Sequence, residues 1–180
     1  NDKPVYLKGF GMHEDAPILG KGNCSALNIK NFELLRWIGA NSIRTSHYPY
    51  AEEVMDLADR YGILVIDEVP AVGVNHWDPY TFGENRADGE TKALHRSMIE
   101  RLWSRDKNHP SVVMLSVGNE AATFEPASRA YFEDLIALAR SLSSLPVTLP
   151  EETKFVEGNY CADLVDFLSL NRYYGWYDET

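Results

Sequence analysis

A chain of 180 residues, 44% hydrophobic and 24% charged, is long enough for one domain with a substantial core and has neither a disordered nor a collagen-like composition. Its net charge of −10, with no cluster of Lys and Arg, argues against nucleic acid or any other polyanion as a partner, because binding a phosphate backbone needs grouped cations that release counterions. No apolar run approaches the roughly 18–20 residues of a bilayer span and NDKPVYLKGF lacks the character of a secretory leader, so no membrane association is expected.

From the first residues onward, short β-rich runs alternate with amphipathic stretches, the pattern of βα units laid around a parallel sheet. A strand is predicted over 6–10, followed by His13, Glu14 and Asp15. Residues 28–40 set Ile29, Phe32, Leu35 and Ile38 at helical spacing, with Gly39 placed to end the helix in a left-handed turn. The strand predicted at 42–45 delivers Arg44 and then His47. A helix over 51–61 follows Pro49, turns Val54, Leu57, Ala58 and Tyr61 inward, and stops at Gly62. The strand at 64–67 ends in Asp67 and Glu68.

Residues 71–89 hold Asn75, His76, Trp77, Tyr80 and Phe82 without a clear period and read as a loop over a site. A helix over 90–106, with Leu94, Met98 and Leu102 inward, leads through Asn108-His109-Pro110 into a hydrophobic strand at 113–117 that carries Asn119 and Glu120. A helix over 126–142, with Tyr131, Leu135, Leu138 and Leu142 inward, precedes strands at 147–149 and 167–170. The last of these is followed by Asn171, Arg172, Tyr173, Tyr174, Trp176 and Tyr177.

Polar and ionisable residues thus follow five of six predicted strands, and in a parallel α/β sheet the carboxyl ends of the strands share one rim. Glu120 stands out because it directly follows a run of apolar residues. A carboxyl at the mouth of such a strand, partly withdrawn from water, can hold its proton and act as a general acid, while the neighbouring Asn119 amide can hydrogen-bond a substrate hydroxyl. A helix-cap or surface carboxylate fits the position of Glu120 about equally well.

Longer segments tip that balance. RTSHYPYAEE at 44–53, DKNHPSVVM at 106–114, NRYYGWY at 171–177, HEDA at 13–16, GKG at 20–22 and IGAN at 38–41 together resemble the β-glucuronidases of glycoside hydrolase family 2, over nearly the whole chain. The resemblance implies an α/β fold of the (β/α)8 TIM-barrel type, represented here by about its first six βα units over residues 1–180, and a retaining hydrolase that uses two glutamates. Glu120 matches the acid/base, Asn119 the residue that binds the sugar 2-hydroxyl, Arg44 an arginine supporting the nucleophile, and Tyr173 a tyrosine bonded to it. Asp15, His47 and Tyr177 resemble residues lining the sugar subsite.

The resemblance also places the nucleophile segment, Ser/Thr-Glu-Tyr-Gly, and the Asn-x-Lys motif associated with the glucuronate carboxylate after Thr180, and the family's β-sandwich domains before residue 1. Ala121 stands where proline is usual, and Leu115 where many relatives have tryptophan. The expected substrate is a β-glucuronide; a β-galactosidase-type activity, or an inactive sugar-binding groove lined by Trp77, Tyr173, Trp176 and Tyr177, are the alternatives. Alone, the chain is expected to be inactive and to self-associate through open barrel edges.

A metal-dependent hydrolase would draw on His13, Glu14, Asp15, His47, Asp67, Glu68 and His76, but no His-x-His follows the first strand and adjacent residues diverge in direction, so no metal or other cofactor is expected. Cys24 and Cys161 are too far apart for a zinc motif and favour a reducing compartment, with a bacterial cytoplasm the expected setting.

Overall fold

The computed structural model describes residues 3–74, 80–83, 86–87, 89–152 and 158–175. Among them the elements run β1 (Gly9–Gly11), β2 (Asp15–Ala16), β3 (Gly20–Lys21), α1 (Ser25–Trp37), β4 (Ser42–Arg44), α2 (Glu52–Tyr61), β5 (Leu64–Glu68) and α3 (Gly89–Asp106). They continue as β6 (Val112–Ser116), α4 (Ser128–Leu142), β7 (Val147–Thr148), β8 (Pro150–Glu152) and β9 (Ser169–Asn171).

Strands β1, β4, β5, β6 and β7 lie side by side in that order, every pair parallel. Only Leu149 separates β7 from β8, which pairs in parallel with β9, so β7 and β8 are the lower and upper halves of one strand that faces β6 below and β9 above. The result is six consecutive parallel barrel strands, with α1 to α4 packed outside as crossovers. No helix among the described residues is long and apolar enough to cross a membrane.

Two apolar clusters fill the layer between sheet and helices. One gathers Phe32, Tyr50, Val54, Met55 and Val65 under α1 and α2; the other gathers Val117, Tyr131, Phe132, Leu135 and Leu149 under α4. Helix α2 is built from this layer outward: Val54, Met55, Leu57 and Ala58 are buried, and Gly62, at φ 68°, lets the chain reverse where a Cβ would be strained.

Several sequence expectations are corrected here. In α1 Phe32 and Leu35 are buried, but Ile29 and Ile38 are exposed; in α3 the inward stripe is His95, Ile99, Leu102 and Asp106, while Leu94 is exposed. In α4 Leu142 is exposed and Phe132, Ile136 and Ala139 face the core instead. Hydrophobicity alone chose each stripe, whereas the buried face takes in polar Asn28 in α1 and His95 and Asp106 in α3, and in α4 it extends over Phe132, Ile136 and Ala139. The first strand is Gly9–Gly11 rather than 6–10, and the β2–β3 hairpin was not foreseen.

Candidate active site

Of the polar side chains predicted to follow the strands, Arg44, His47, Glu68, Asn119, Glu120, Asn171 and Tyr173 converge on one rim. At its base lies Glu68, the last residue of β5, fully buried and acting only as an acceptor. Its Oε2 receives Arg44 Nε at 2.8 Å and Ser116 Oγ at 2.7 Å, and its Oε1 faces Arg44 Nη2 at 3.4 Å and His47 Nδ1 at 2.8 Å. His47 Nδ1 also lies 3.2 Å from Arg44 Nη2, but the shorter contact is to the carboxylate, which can only accept, so it favours the hydrogen on Nδ1 and leaves Nε2 for other partners.

Held in this way, Arg44 fans its remaining hydrogens upward, Nη2 to Asn119 Oδ1 at 2.7 Å and Nη1 to Asn171 Oδ1 at 3.0 Å. Those bonds fix both amides. Asn171 turns Nδ2 toward Asn119 Oδ1 (2.9 Å) and Glu120 Oε1 (2.7 Å), and Asn119, with two donors already on Oδ1, keeps Nδ2 as the atom it can offer to a ligand. Tyr173 donates its hydroxyl to the same Glu120 Oε1 at 2.7 Å. With two donors on Oε1, an acid proton on Glu120 belongs on Oε2.

The backbone beneath is pinned from both sides. Asn119 N–H donates to Ala71 O after β5 (3.1 Å) and Glu120 N–H to Pro150 O of β8 (2.8 Å). Gly118 packs closely here, where a Cβ would lie 3.1 Å from Leu149 Cδ1 and 3.5 Å from Ala71 O. Glu120 itself adopts φ 50°, a left-handed conformation that costs a non-glycine residue on the order of 1 kcal/mol and that its neighbours hold in place.

On the other side of Arg44, β2 and β3 form a small hairpin that carries Asp15 opposite Lys21. His13 and His47 meet edge to face with ring centroids 5.6 Å apart, and Lys21 Nζ sits 3.7 Å from the centre of the Tyr48 ring. Burial, and next the charge of His47, lower the His13 pKa below 6.5; Asp15 opposes them, while Lys21 and Arg44 add to the lowering. Glu14 turns away from the site, its Oε1 accepting the Ala51 N–H at the start of α2 at 2.7 Å. Asp15 is exposed on the hairpin and makes no contact with Glu120 in the hydrogen-bond network above.

The structure therefore brings Arg44, His47, Asn119, Glu120 and Tyr173 into one connected cluster. Tyr177 lies outside the described residues, as do Asn75, His76, Trp77 and Trp176. Two further members join the cluster: Glu68, which the sequence offered as a strand-end carboxylate and metal-ligand candidate, and Asn171, which it offered as a strand-end amide opening the NRYYGWY segment, neither with the supporting role the contacts give it.

A wall of parallel strands with helical crossovers, its polar groups gathered where the strands end, defines the class: a TIM-barrel domain of the α/β type. All of residues 1–180 match the family described as Glycosyl hydrolases family 2, TIM barrel domain, and the chain belongs to that family. It is 48% identical over 187 residues to a β-glucuronidase of Paenibacillus borealis, covering 99% of this chain and 30% of that protein. The solved β-D-glucuronidase of Dictyoglomus thermophilum superposes with a TM-score of 0.94 at 52% identity, over 100% of this chain and 32% of that one. A β-glucuronidase from Ruminococcus gnavus, solved in complex with D-glucaro 1,5-lactone, superposes with a TM-score of 0.88 at 45% identity, over 98% and 30%. The chain thus spans about 30% of the length of the relatives it matches.

Proposed function

We propose that this chain supplies the acid/base half of a retaining β-glucuronidase site, with Glu120 as the acid/base. The observation that carries the reading is the double donation of Asn171 and Tyr173 to Glu120 Oε1, at the end of the fourth barrel strand of a family 2 domain. In the first step the Glu120 Oε2 proton passes to the glycosidic oxygen as the bond to the aglycone breaks and a second carboxylate bonds to the anomeric carbon. In the second, Glu120, now ionised, takes a proton from water while the water oxygen attacks that carbon, the carboxylate leaves, and the acid is restored.

Asn119 Nδ2 is the group oriented to donate to the sugar 2-hydroxyl. Asp15, His47 and Tyr177 line the sugar, and Arg44 also steadies the second carboxylate; Tyr173, whose one hydroxyl hydrogen goes to Glu120 Oε1 here, supports that carboxylate only when the hydroxyl turns from Glu120 to it. That second carboxylate and the groups for the uronate carboxylate come from family 2 segments outside residues 1–180. Glu68 is unsuited to the nucleophile role, being fully buried with its oxygens committed to Arg44, His47 and Ser116. The substrate is a β-glucuronide, the setting the cytoplasm, and neither nucleic acid nor membrane is a partner.

The test is hydrolysis of aryl β-glucuronide, with aryl β-galactoside as control, by the 180-residue chain and by a chain extended through the following barrel strands. Turnover of the glucuronide only by the longer chain, lost on Glu120→Gln, is the expected result. Full activity of the extended E120Q variant, or turnover by the 180-residue chain, would overturn the assignment.

A further inference from the structure

Strand β5 ends in two carboxyls of opposite fate. Glu68 turns into the site, and Asp67, the residue before it, turns the other way, toward α3. There it meets Asp106, and both are fully buried. The cation of this layer, Arg105, is committed to Asp106, with Nε 2.7 Å from Oδ1 and Nη2 2.5 Å from Oδ2. Asp67 Oδ1 accepts Thr45 Oγ1 at 3.3 Å, but no donor reaches Asp67 Oδ2, which is one of two buried side-chain polar atoms without a partner among the described residues.

We propose that Asp67 and Asp106 hold one proton between them, carried on Asp67 Oδ2 and donated to Asp106, and that Asp67 thereby acts as a positioning residue that seats Glu68 through Thr45. Two ionised carboxylates out of water beside one guanidinium leave a charge uncompensated, and a shared proton removes it. Arg105 decides where the proton sits: both oxygens of Asp106 already accept from it, so Asp106 is the anion and Asp67 the acid. Burial first, and then Asp106, push the Asp67 pKa well above the ordinary carboxylate value, while Arg105 and Thr45 pull the other way. From α2, Glu52 also acts on Arg105.

The consequence for the site runs through Thr45. Its hydroxyl gives its one hydrogen to Asp67 Oδ1 and accepts the Glu68 N–H at 2.8 Å. The Glu68 backbone is therefore tied to the acid pair while its carboxylate grips Arg44 and His47. This inference rests on that geometry and not on the hydrolytic reading.

Carboxyl 13C NMR of the 180-residue chain tests the proton. The Asp67 resonance, assigned by its loss in Asp67→Asn, is expected at its protonated position at neutral pH, when exposed aspartates, with pKa values near about 4, have ionised. D67N mimics the acid, since its Nδ2 can donate to Asp106 and its Oδ1 can accept from Thr45. A folded pKa above the unfolded one means that stability is full at the acid end and is lost as pH rises through the folded pKa. Relative to D67N, wild type should lose about 3–5 °C of Tm per pH unit in that window.

The positioning role is read at the His47 ring by 15N NMR, because Nδ1 bonds Glu68 Oε1. A step at the pH where Asp67 ionises is expected in wild type, absent from D67N and from Thr45→Val. Ionisation of Asp67 together with the surface aspartates, or a His47 signal blind to it, would overturn the proposal. If D67N fails to fold, the Asp67 carboxyl resonance is assigned through its scalar couplings to its own side chain and backbone, and the two wild-type titrations decide.

Discussion

Replacing Glu68 by Gln changes one oxygen to an amide and removes one charge at the point where the site is anchored. The Glu68 side chain is fully buried and that of Arg44 is 18% exposed, so the pair lies beyond the reach of solvent screening that makes surface ion pairs weak. Four donor atoms converge on the two carboxylate oxygens, from Arg44 Nε and Nη2, Ser116 Oγ and His47 Nδ1. A glutamine keeps one acceptor and points an NH2 group at the donors of the other, so the variant loses the charge match and gains a donor–donor conflict.

Breaking a buried pair from one side costs about 3–5 kcal/mol, a large part of the roughly 5–15 kcal/mol that stabilises a domain. At about 2–4 °C per kcal/mol for a chain of this size, Tm should fall by roughly 6–20 °C. Urea unfolding measures the loss directly, with an unchanged m-value showing that the same surface is exposed. A loss under about 1 kcal/mol, the value of an exposed pair, would refute the claim that Glu68 is the electrostatic anchor of the rim.

Two further outcomes follow from the same contacts. His95 is buried with Nε2 donating to Val117 O at 2.8 Å, and burial lowers its pKa to about 4. A depressed histidine pKa contributes stability above the unfolded value near about 6.5 that is lost as pH falls toward 4. Wild type should therefore lose about 3 kcal/mol across that window relative to His95→Gln in urea titrations, and parallel pH profiles would refute this. Among the described residues β1 pairs only with β4 and β9 only with β8, and Phe10 of β1 and Trp37 at the end of α1 are exposed, so sedimentation should show association of the 180-residue chain that grows with concentration. A clean monomer at high concentration would contradict it.

What the sequence determined is the alternation of elements and the chemistry at their ends. Apolar runs such as 113–117 and 64–67 can bury both faces only in a parallel sheet covered by helices, and the residue after each run must then emerge at the common rim. That argument located Arg44, Asn119 and Glu120 by position, and the longer motifs supplied their expected roles. It missed the rotation of α1, α3 and α4, because a stripe of large apolar residues says nothing about a buried His95 or Asp106 whose partners lie on other elements.

Only the tertiary structure decided which strand-end residues meet at the rim and which turn into the packed layer behind it. Glu68 and Asp67 are adjacent in sequence and chemically alike, yet the alternation of the strand sends one to Arg44 and the other to Asp106, 39 positions farther along the chain. Asn171 joins Arg44, Asn119 and Glu120 across separations of 127, 52 and 51 residues. No local pattern encodes such contacts, because they are set by how neighbouring strands are staggered in the wall and by the single orientation of each amide that satisfies all of its partners.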